Sequence, residues 1–220
     1  MNILKKLTIG FMLASSLTSA SYSMEESTEL SDVKVAPAFR KIDASLYETL
    51  DEAETGNYIA QYNIGLAHMS GEGAIKDFKE SAKWYRKSAM NGFAPAQAIL
   101  GAYYLDGIGV NKNDREAARW FTAAAEQKNP SGMCGLGTFY LAGKGGIPKD
   151  TKEGLRLIAE SAFLDYAGAQ CLLGTIYEEG AYNMPIDKEE AMYWYSLAAD
   201  QDHPNAQRYL DELRENSSVN

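Results

Sequence analysis

Apolar and small residues recur along most of the chain at spacings of three and four, the period of a helix that buries one face. Ala60, Ile64, Ala67 and His68 share one such face, and Ala96, Leu100, Tyr103 and Tyr104 share another. Glycines follow these segments at Gly71/Gly73, Gly107/Gly109, Gly143/Gly145 and Gly180. Each predicts a helix end, because glycine takes the left-handed φ of a terminating turn at little cost. A second helix is predicted to open after each turn, at Asp77, Asn113, Asp150 and Asp187, with Glu80, Glu116, Glu153 and Glu190 three residues on. That spacing is a capping box: the cap side chain accepts from a backbone N–H, and the glutamate reaches back to the N–H of the cap.

Aligned on themselves, these helix pairs form a repeat. The first helices read AQYNIGLAHMSGEG, AQAILGAYYLDGIG, GMCGLGTFYLAGKG and AQCLLGTIYEEGAY, with Gly65, Gly101, Gly137 and Gly174 in one column at spacings of 36, 36 and 37. The second helices read SAKWYRKSA, AARWFTAAA, GLRLIAESA and AMYWYSLAA, with Trp84, Trp120, Leu157 and Trp194 in one column. A glycine inside a helix costs up to about 1 kcal/mol against alanine. Close helix crossing is the expected reason, with the Trp column packing over the small one and the pairs Ala124/Ala125 and Ala198/Ala199 serving the same end. Two helices cannot bury their apolar faces alone, so the copies must stack. The reading divides the chain into an N-terminal helix at 41–56, repeats at 57–92, 93–128, 129–165 and 166–202, a capping helix at 203–214 and a tail at 215–220.

The pattern A-x-x-x-L-G-x-x-Y-x-x-G-x-G followed by D-x-x-E-A-x-x-W-Y-x-x-A-A resembles the Sel1-like repeat (SLR) family, a relative of the tetratricopeptide repeat. The likeness spans roughly Asn57 to His203. Departures are His68 in the Tyr104/Tyr140/Tyr177 column, Leu157 for Trp, Gly132 and Gly154 for Ala, and one extra inter-helix residue near Gly146 and near Met184. The resemblance implies an all-α, right-handed α/α solenoid of about four units that binds a protein or peptide, commonly as an exported or host-directed bacterial factor. It also implies an alternative, a peptidoglycan- or β-lactam-directed hydrolase or binding protein. If the side chains point as in tetratricopeptide repeats, the concave groove collects the third, seventh and tenth positions of each first helix, counting Ala60 as one. Those are Tyr62, Ala98, Cys134 and Cys171; Leu66, Ala102, Thr138 and Thr175; and Met69, Leu105, Leu141 and Glu178.

Composition narrows the function. The formal charge is −9 and the isoelectric point about 4.8, so the chain as a whole repels phosphate backbones and no nucleic-acid partner is expected. Residues 1–23 carry Lys5 and Lys6 before an apolar run from Leu7 to about Leu17 and small residues at Ala20 and Ser23. This reads as a signal peptide, followed by a flexible linker at 24–40, and predicts a periplasmic or secreted protein. No second apolar run reaches membrane length in the remainder.

Chemistry is sparse. Two histidines and two cysteines without metal-ligand spacing predict neither metal nor cofactor. Gly137–Lys144 has five residues between its glycines, where a P-loop has four, and no Ser or Thr after the lysine. Ser31–Lys34 matches Ser-x-x-Lys, without the Lys-Thr-Gly or Ser-Asp-Asn that would complete a β-lactamase signature. His68 is expected to pack in its aromatic column, and His203 to be a solvated loop residue. Cys134 and Cys171 occupy one column of successive first helices. Stacked helices lie about 8–10 Å apart and a disulfide needs Cα atoms within about 7 Å, so two thiols are expected. The chain reads as a non-enzymatic interaction scaffold.

Overall fold

The structure, a computed structural model, describes residues 44–218. The expected signal peptide (1–23) and linker (24–40) lie outside the described residues. These fold into ten α-helices: α1 (Ala44–Glu54), α2 (Tyr58–Ser70), α3 (Phe78–Met90), α4 (Ala94–Asp106), α5 (Asp114–Glu126), α6 (Pro130–Ala142), α7 (Thr151–Phe163), α8 (Ala167–Glu179), α9 (Lys188–Ala199) and α10 (Ala206–Ser218). One short 3-10 turn, Ala181–Asn183, takes up the extra residue between α8 and α9. No strand occurs among the described residues. Each helix packs on the next, and the first helices α4, α6 and α8 also touch in succession. This is an α/α solenoid. Its ends are closed by α1, which buries Leu50 and Ala53 against Ile64 and Trp84, and by α10, which buries Tyr209, Leu210 and Leu213. α10 continues to Ser218, into the stretch expected as tail. Pairs of Arg208 with Glu212 at 3.0 Å and of Arg214 with Asp211 at 3.9 Å lie along that helix.

The helix entries keep half of the expected capping box. Asp77 accepts from the N–H groups of Lys79 and Glu80, Asn113 from Arg115 and Glu116, Asp150 from Glu153, and Asp187 from Glu189 and Glu190. The returning glutamate bond is replaced. The N–H groups of Asp77, Asn113, Asp150 and Asp187 donate to the carbonyls of His68, Tyr104, Tyr140 and Tyr177 in the preceding helix. With that donor satisfied, Glu80, Glu116 and Glu153 turn outward to Lys83, Arg119 and Arg156 one turn on. The cap thus fixes the inter-helix turn as well as the helix start.

The glycine column marks close crossings, but the residue that fills it is not the expected one. A Cβ on Gly65 would stand 2.9 Å from the ring of Tyr85, on Gly101 2.8 Å from Phe121, on Gly137 2.8 Å from Ile158, and on Gly174 2.6 Å from Tyr195. Each of these is the residue after the Trp column. A side chain one position along a helix points about a quarter-turn away, so neighbouring residues serve different contacts. Trp84 packs with Leu50, Ala60 and Ile64, while Tyr85 packs with Leu100 and Tyr103 of the following unit. The third unit's departures have a similar cause. A Cβ on Gly132 would lie 2.4 Å from that of Ala124, and one on Gly154 2.9 Å from the Gly137 carbonyl oxygen.

A polar joint repeats between units. The buried amides of Gln61, Gln97 and Gln170 donate to the carbonyls of Ala53, Ala89 and Ala162 in the last turn of the preceding helix. Such carbonyls have no partner within their own helix. Each glutamine in turn accepts, at its side-chain oxygen, from Asn91, Gln127 or Gln201 at the far end of its own unit. In the third unit the two corresponding positions are Met133 and Leu164, apolar together. Here the glutamine clamp of the other units gives way to the tight Gly132–Ala124 contact.

Candidate functional site

The twelve residues assigned to a groove divide by exposure, with Cys134 and Cys171 among the buried ones. Ala98, Leu141 and Thr175 are buried, and so do not present a surface to a partner. The remaining seven are half-buried. Tyr62 lies with its ring 5.4 Å from Tyr85 and 5.3 Å from Phe93. Met69 receives a weak bond from the Tyr85 hydroxyl at 3.8 Å, and Leu105 packs against the core beside Ala102. Leu66, Ala102 and Thr138 occupy one column on α2, α4 and α6. On α8 that column closes, because Thr175 donates to the Cys171 carbonyl and shares a hydrogen bond with the Tyr195 hydroxyl. Glu178 is engaged as well, accepting from Tyr195 at 2.7 Å.

Around the seventh position, the centre of the open row, the tenth is half-buried at Met69, Leu105 and Glu178, and the fourth and eleventh are accessible at some units, although Gly135 and Leu172 in the fourth are buried. Asn63 and Ile99 are exposed and half-buried, as are Ser70, Asp106 and Ala142 to intermediate degrees, and Glu179 is exposed. Asn63, Ser70, Asp106 and Glu179 are polar, while Ile99, Gly135, Leu172 and Ala142 share their columns. Asp106 is a perturbed carboxyl beside the row. Both of its carboxylate oxygens are shielded without a hydrogen-bond partner among the described residues. Burial raises its carboxyl above the ordinary carboxylate range, and the charge of Lys112 opposes that rise.

The histidines are structural. The Nδ1–H of His68 donates to the Ile75 carbonyl at 3.0 Å, since a carbonyl can only accept, and pins the turn between α2 and α3. His203, expected in solvent, is buried. It stands in the helix-entry column of Asn57, Phe93, Asn129 and Tyr166, and its N–H donates to the Ala198 carbonyl. At this last joint the helix-entry residue is enclosed, whereas Asn57 at the first is exposed.

Cys134 and Cys171 are buried thiols, not joined to each other. Desolvation, reinforced by Cys171, pushes the Cys134 thiol up to about 12 from an ordinary value of 9.0. Between those values the unfolded chain ionises while the folded one holds its proton, so this group's contribution to stability is present below pH 9 and falls as pH rises through that window. Native protein at pH 8 is expected to resist a thiol reagent at Cys134 and to react there after unfolding in urea, as read by mass spectrometry. Rapid labelling of folded Cys134 would contradict its enclosure.

Helix pairs of this length, stacked through glycine crossings with an open row on one layer, define an α/α repeat scaffold. The Sel1 repeat model matches residues 59–93, 94–129, 130–162 and 167–203. The chain belongs to the Sel1 repeat family. Among solved structures it is similar to a Sel1 repeat protein from Oxalobacter formigenes, with 33% identity over 76% of this chain and 65% of that one and a TM-score of 0.67. It is also similar to a protective antigen of uropathogenic Escherichia coli strains that displays an SLR fold, with 30% identity over 72% of this chain and 34% of that one and a TM-score of 0.60. An immunity protein from Pseudomonas aeruginosa shares the fold at 21% identity over 77% of this chain and 64% of that one, with a TM-score of 0.52. The chain therefore spans less than two thirds of each of these relatives. The search of curated proteins gave no match. Sel1 repeat proteins generally serve as non-enzymatic scaffolds for protein–protein interaction. No helix among the described residues is long and apolar enough to cross a membrane.

Proposed function

We propose that this chain is an exported, non-enzymatic scaffold that binds a protein or peptide partner along the open row of its first helices. The observation that carries the reading is the column Leu66, Ala102 and Thr138, half-open on three successive helices with Ile99 and Leu105 beside it. Apolar anchors at helical spacing, bordered by Asn63, Ser70 and Asp106, suit an amphipathic helix or an extended segment laid across the row. Export rests on the Lys5-Lys6 and apolar run at the N-terminus.

The test is site-specific photocrosslinking in the producing cell, from a benzophenone residue at Ile99. A discrete adduct is expected, lost in Ala102→Glu and kept in His68→Gln, with both variants verified as folded by circular dichroism. An adduct that survives Ala102→Glu but disappears in His68→Gln would overturn the groove reading. Fractionation with N-terminal sequencing tests export: cytoplasmic protein that still begins at Met1 would refute it.

A further inference from the structure

We propose that the outward face of α3 is a second docking strip, for an acidic protein segment that also carries apolar side chains. The proposal rests on the scaffold reading only for the partner's being a protein, and the surface is separate from the open row. Between Lys76 and Lys87 the chain has five basic residues, Lys76, Lys79, Lys83, Arg86 and Lys87, against two acids, Asp77 and Glu80. Lys79, Lys83, Arg86, Lys87 and Met90 follow one another at helical spacing along a single face of α3. This concentration stands out in a chain of net charge −9. In the fourth unit, residues 166–202, there are seven acids and one lysine. There Glu189, Tyr193 and Leu197 occupy the positions of Lys79, Lys83 and Lys87.

The two acids within the strip are already engaged. Asp77 is spent on the N–H groups of Lys79 and Glu80, which hold its carboxyl below the usual range. Glu80 is paired with Lys83 at 2.5 Å. Arg86 and Lys87 form no ion pair with a carboxylate among the described residues, yet both are held in place. The Arg86 guanidinium sits over the Tyr104 ring and donates to its hydroxyl, and the Lys87 ammonium lies 3.7 Å above the Trp84 ring. Cations positioned in advance on aromatic faces lose less freedom when an anion arrives. Apolar groups stand at both ends of the strip: Ile75 and Phe78 are 55% and 41% exposed at its start, and Met90 is 73% exposed at its end. Phe78 and Met90 bound a helix of 13 residues, about 18 Å apart along its axis.

Charge chooses between two anionic occupants. An anionic bilayer presents a plane, and a plane against α3 would also meet α1, whose Leu50 and Ala53 share the cluster of Trp84. Glu48, Asp51, Glu52 and Glu54 of α1 are exposed, and that charge opposes a broad anionic plane more than a segment confined to α3. A single segment laid along α3 follows the row of cations. The fit is an acidic stretch with an apolar residue near each end.

The test uses the full chain and fluorescence anisotropy with a fluorescein-labelled peptide that has a run of glutamates between terminal leucines. A lysine version of the peptide and phosphatidylcholine vesicles containing phosphatidylglycerol serve as the alternatives. The glutamate peptide is expected to bind at about 50 mM salt and to weaken as salt rises. Replacing both Lys83→Glu and Lys87→Glu should weaken it at least about tenfold, and Met90→Ser several-fold. All three positions are exposed, so circular dichroism should show each variant folded. Affinity unchanged by the double reversal, absence of peptide binding, or capture of vesicles in place of peptide would overturn the strip. Ala102→Glu should leave peptide affinity within about twofold. If it abolishes binding, the peptide occupies the open row, and the strip fails while the scaffold reading stands.

Discussion

Trp120→Ala should lower stability by about 3–5 kcal/mol, the range for deleting a large buried aromatic side chain, and urea unfolding followed by circular dichroism should show one earlier, cooperative transition. Trp120 is 6% exposed in a cluster that runs from Ala82 and Tyr85 through Tyr103 and Phe121 to Phe139 and Leu157. The loss therefore falls on three successive units at once. Two features place it toward the lower end of the range. The indole N–H is buried without a hydrogen-bond partner among the described residues, so truncation also removes an unpaired polar group. The guanidinium of Arg119 lies over the ring, 4.4 Å from its centroid, and the aliphatic stem of the arginine can settle into part of the space. An unchanged urea midpoint would show that the Trp column carries no core.

Gly109→Ala should cost about 2–4 kcal/mol although it adds one methyl group to a turn. Gly109 has a φ of +64°, a conformation that alanine enters only with strain, and its Cβ would stand 2.0 Å from the Phe78 carbonyl oxygen and 2.4 Å from the carbonyl carbon. The obstacle is main chain at the start of α3, so no rotamer change relieves it. Gly146→Ala is the control. It too has a positive φ, +87°, but nothing lies within 4 Å of its Cβ, so it should show the conformational cost alone. Equal losses in the two variants would mean that the turn of the second unit does not press on the helix of the first.

Much of this architecture was legible because it is periodic. The glycine column, the cap residues Asp77, Asn113, Asp150 and Asp187, and the turn glycines each recur at a fixed interval, and recurrence separates a structural demand from chance. What escaped was direction. Whether Trp84 or Tyr85 covers Gly65 depends on the rotation of α3 about its own axis, and a difference of one residue changes the neighbour without changing the pattern. Rotation of the same kind decides which candidate positions are covered, as Ala98 and Leu141 are while Tyr62 and Leu105 stay half-buried. Long-range bonds were also hidden. The carbonyl of His68 receives the N–H of Asp77, and Gln97 joins Ala89 to Gln127, through partners that no local motif connects. His203 was misread because its burial is particular to the last joint: its counterparts Asn57, Phe93, Asn129 and Tyr166 are exposed or half-buried.

The glutamine clamp bears on how an array of this kind can lengthen or shorten over generations. Each clamp asks its predecessor for a main-chain carbonyl, as Ala53, Ala89 and Ala162 supply, to which only the fourth unit's clamp adds a side chain, the Asp165 carboxylate. It takes its other partner, Asn91, Gln127 or Gln201, from its own unit. A carbonyl is present whatever residue bears it. A unit with both halves of the device can therefore be duplicated or lost in one event without a compensating change next door. The third unit shows the complementary route, in which Met133 and Leu164 abandon both halves together and Gly132 brings the backbones close. That joint is fitted to Ala124, so a copy of the third unit would need a small residue waiting for it, and gene rearrangement should favour breakpoints at the clamped joints.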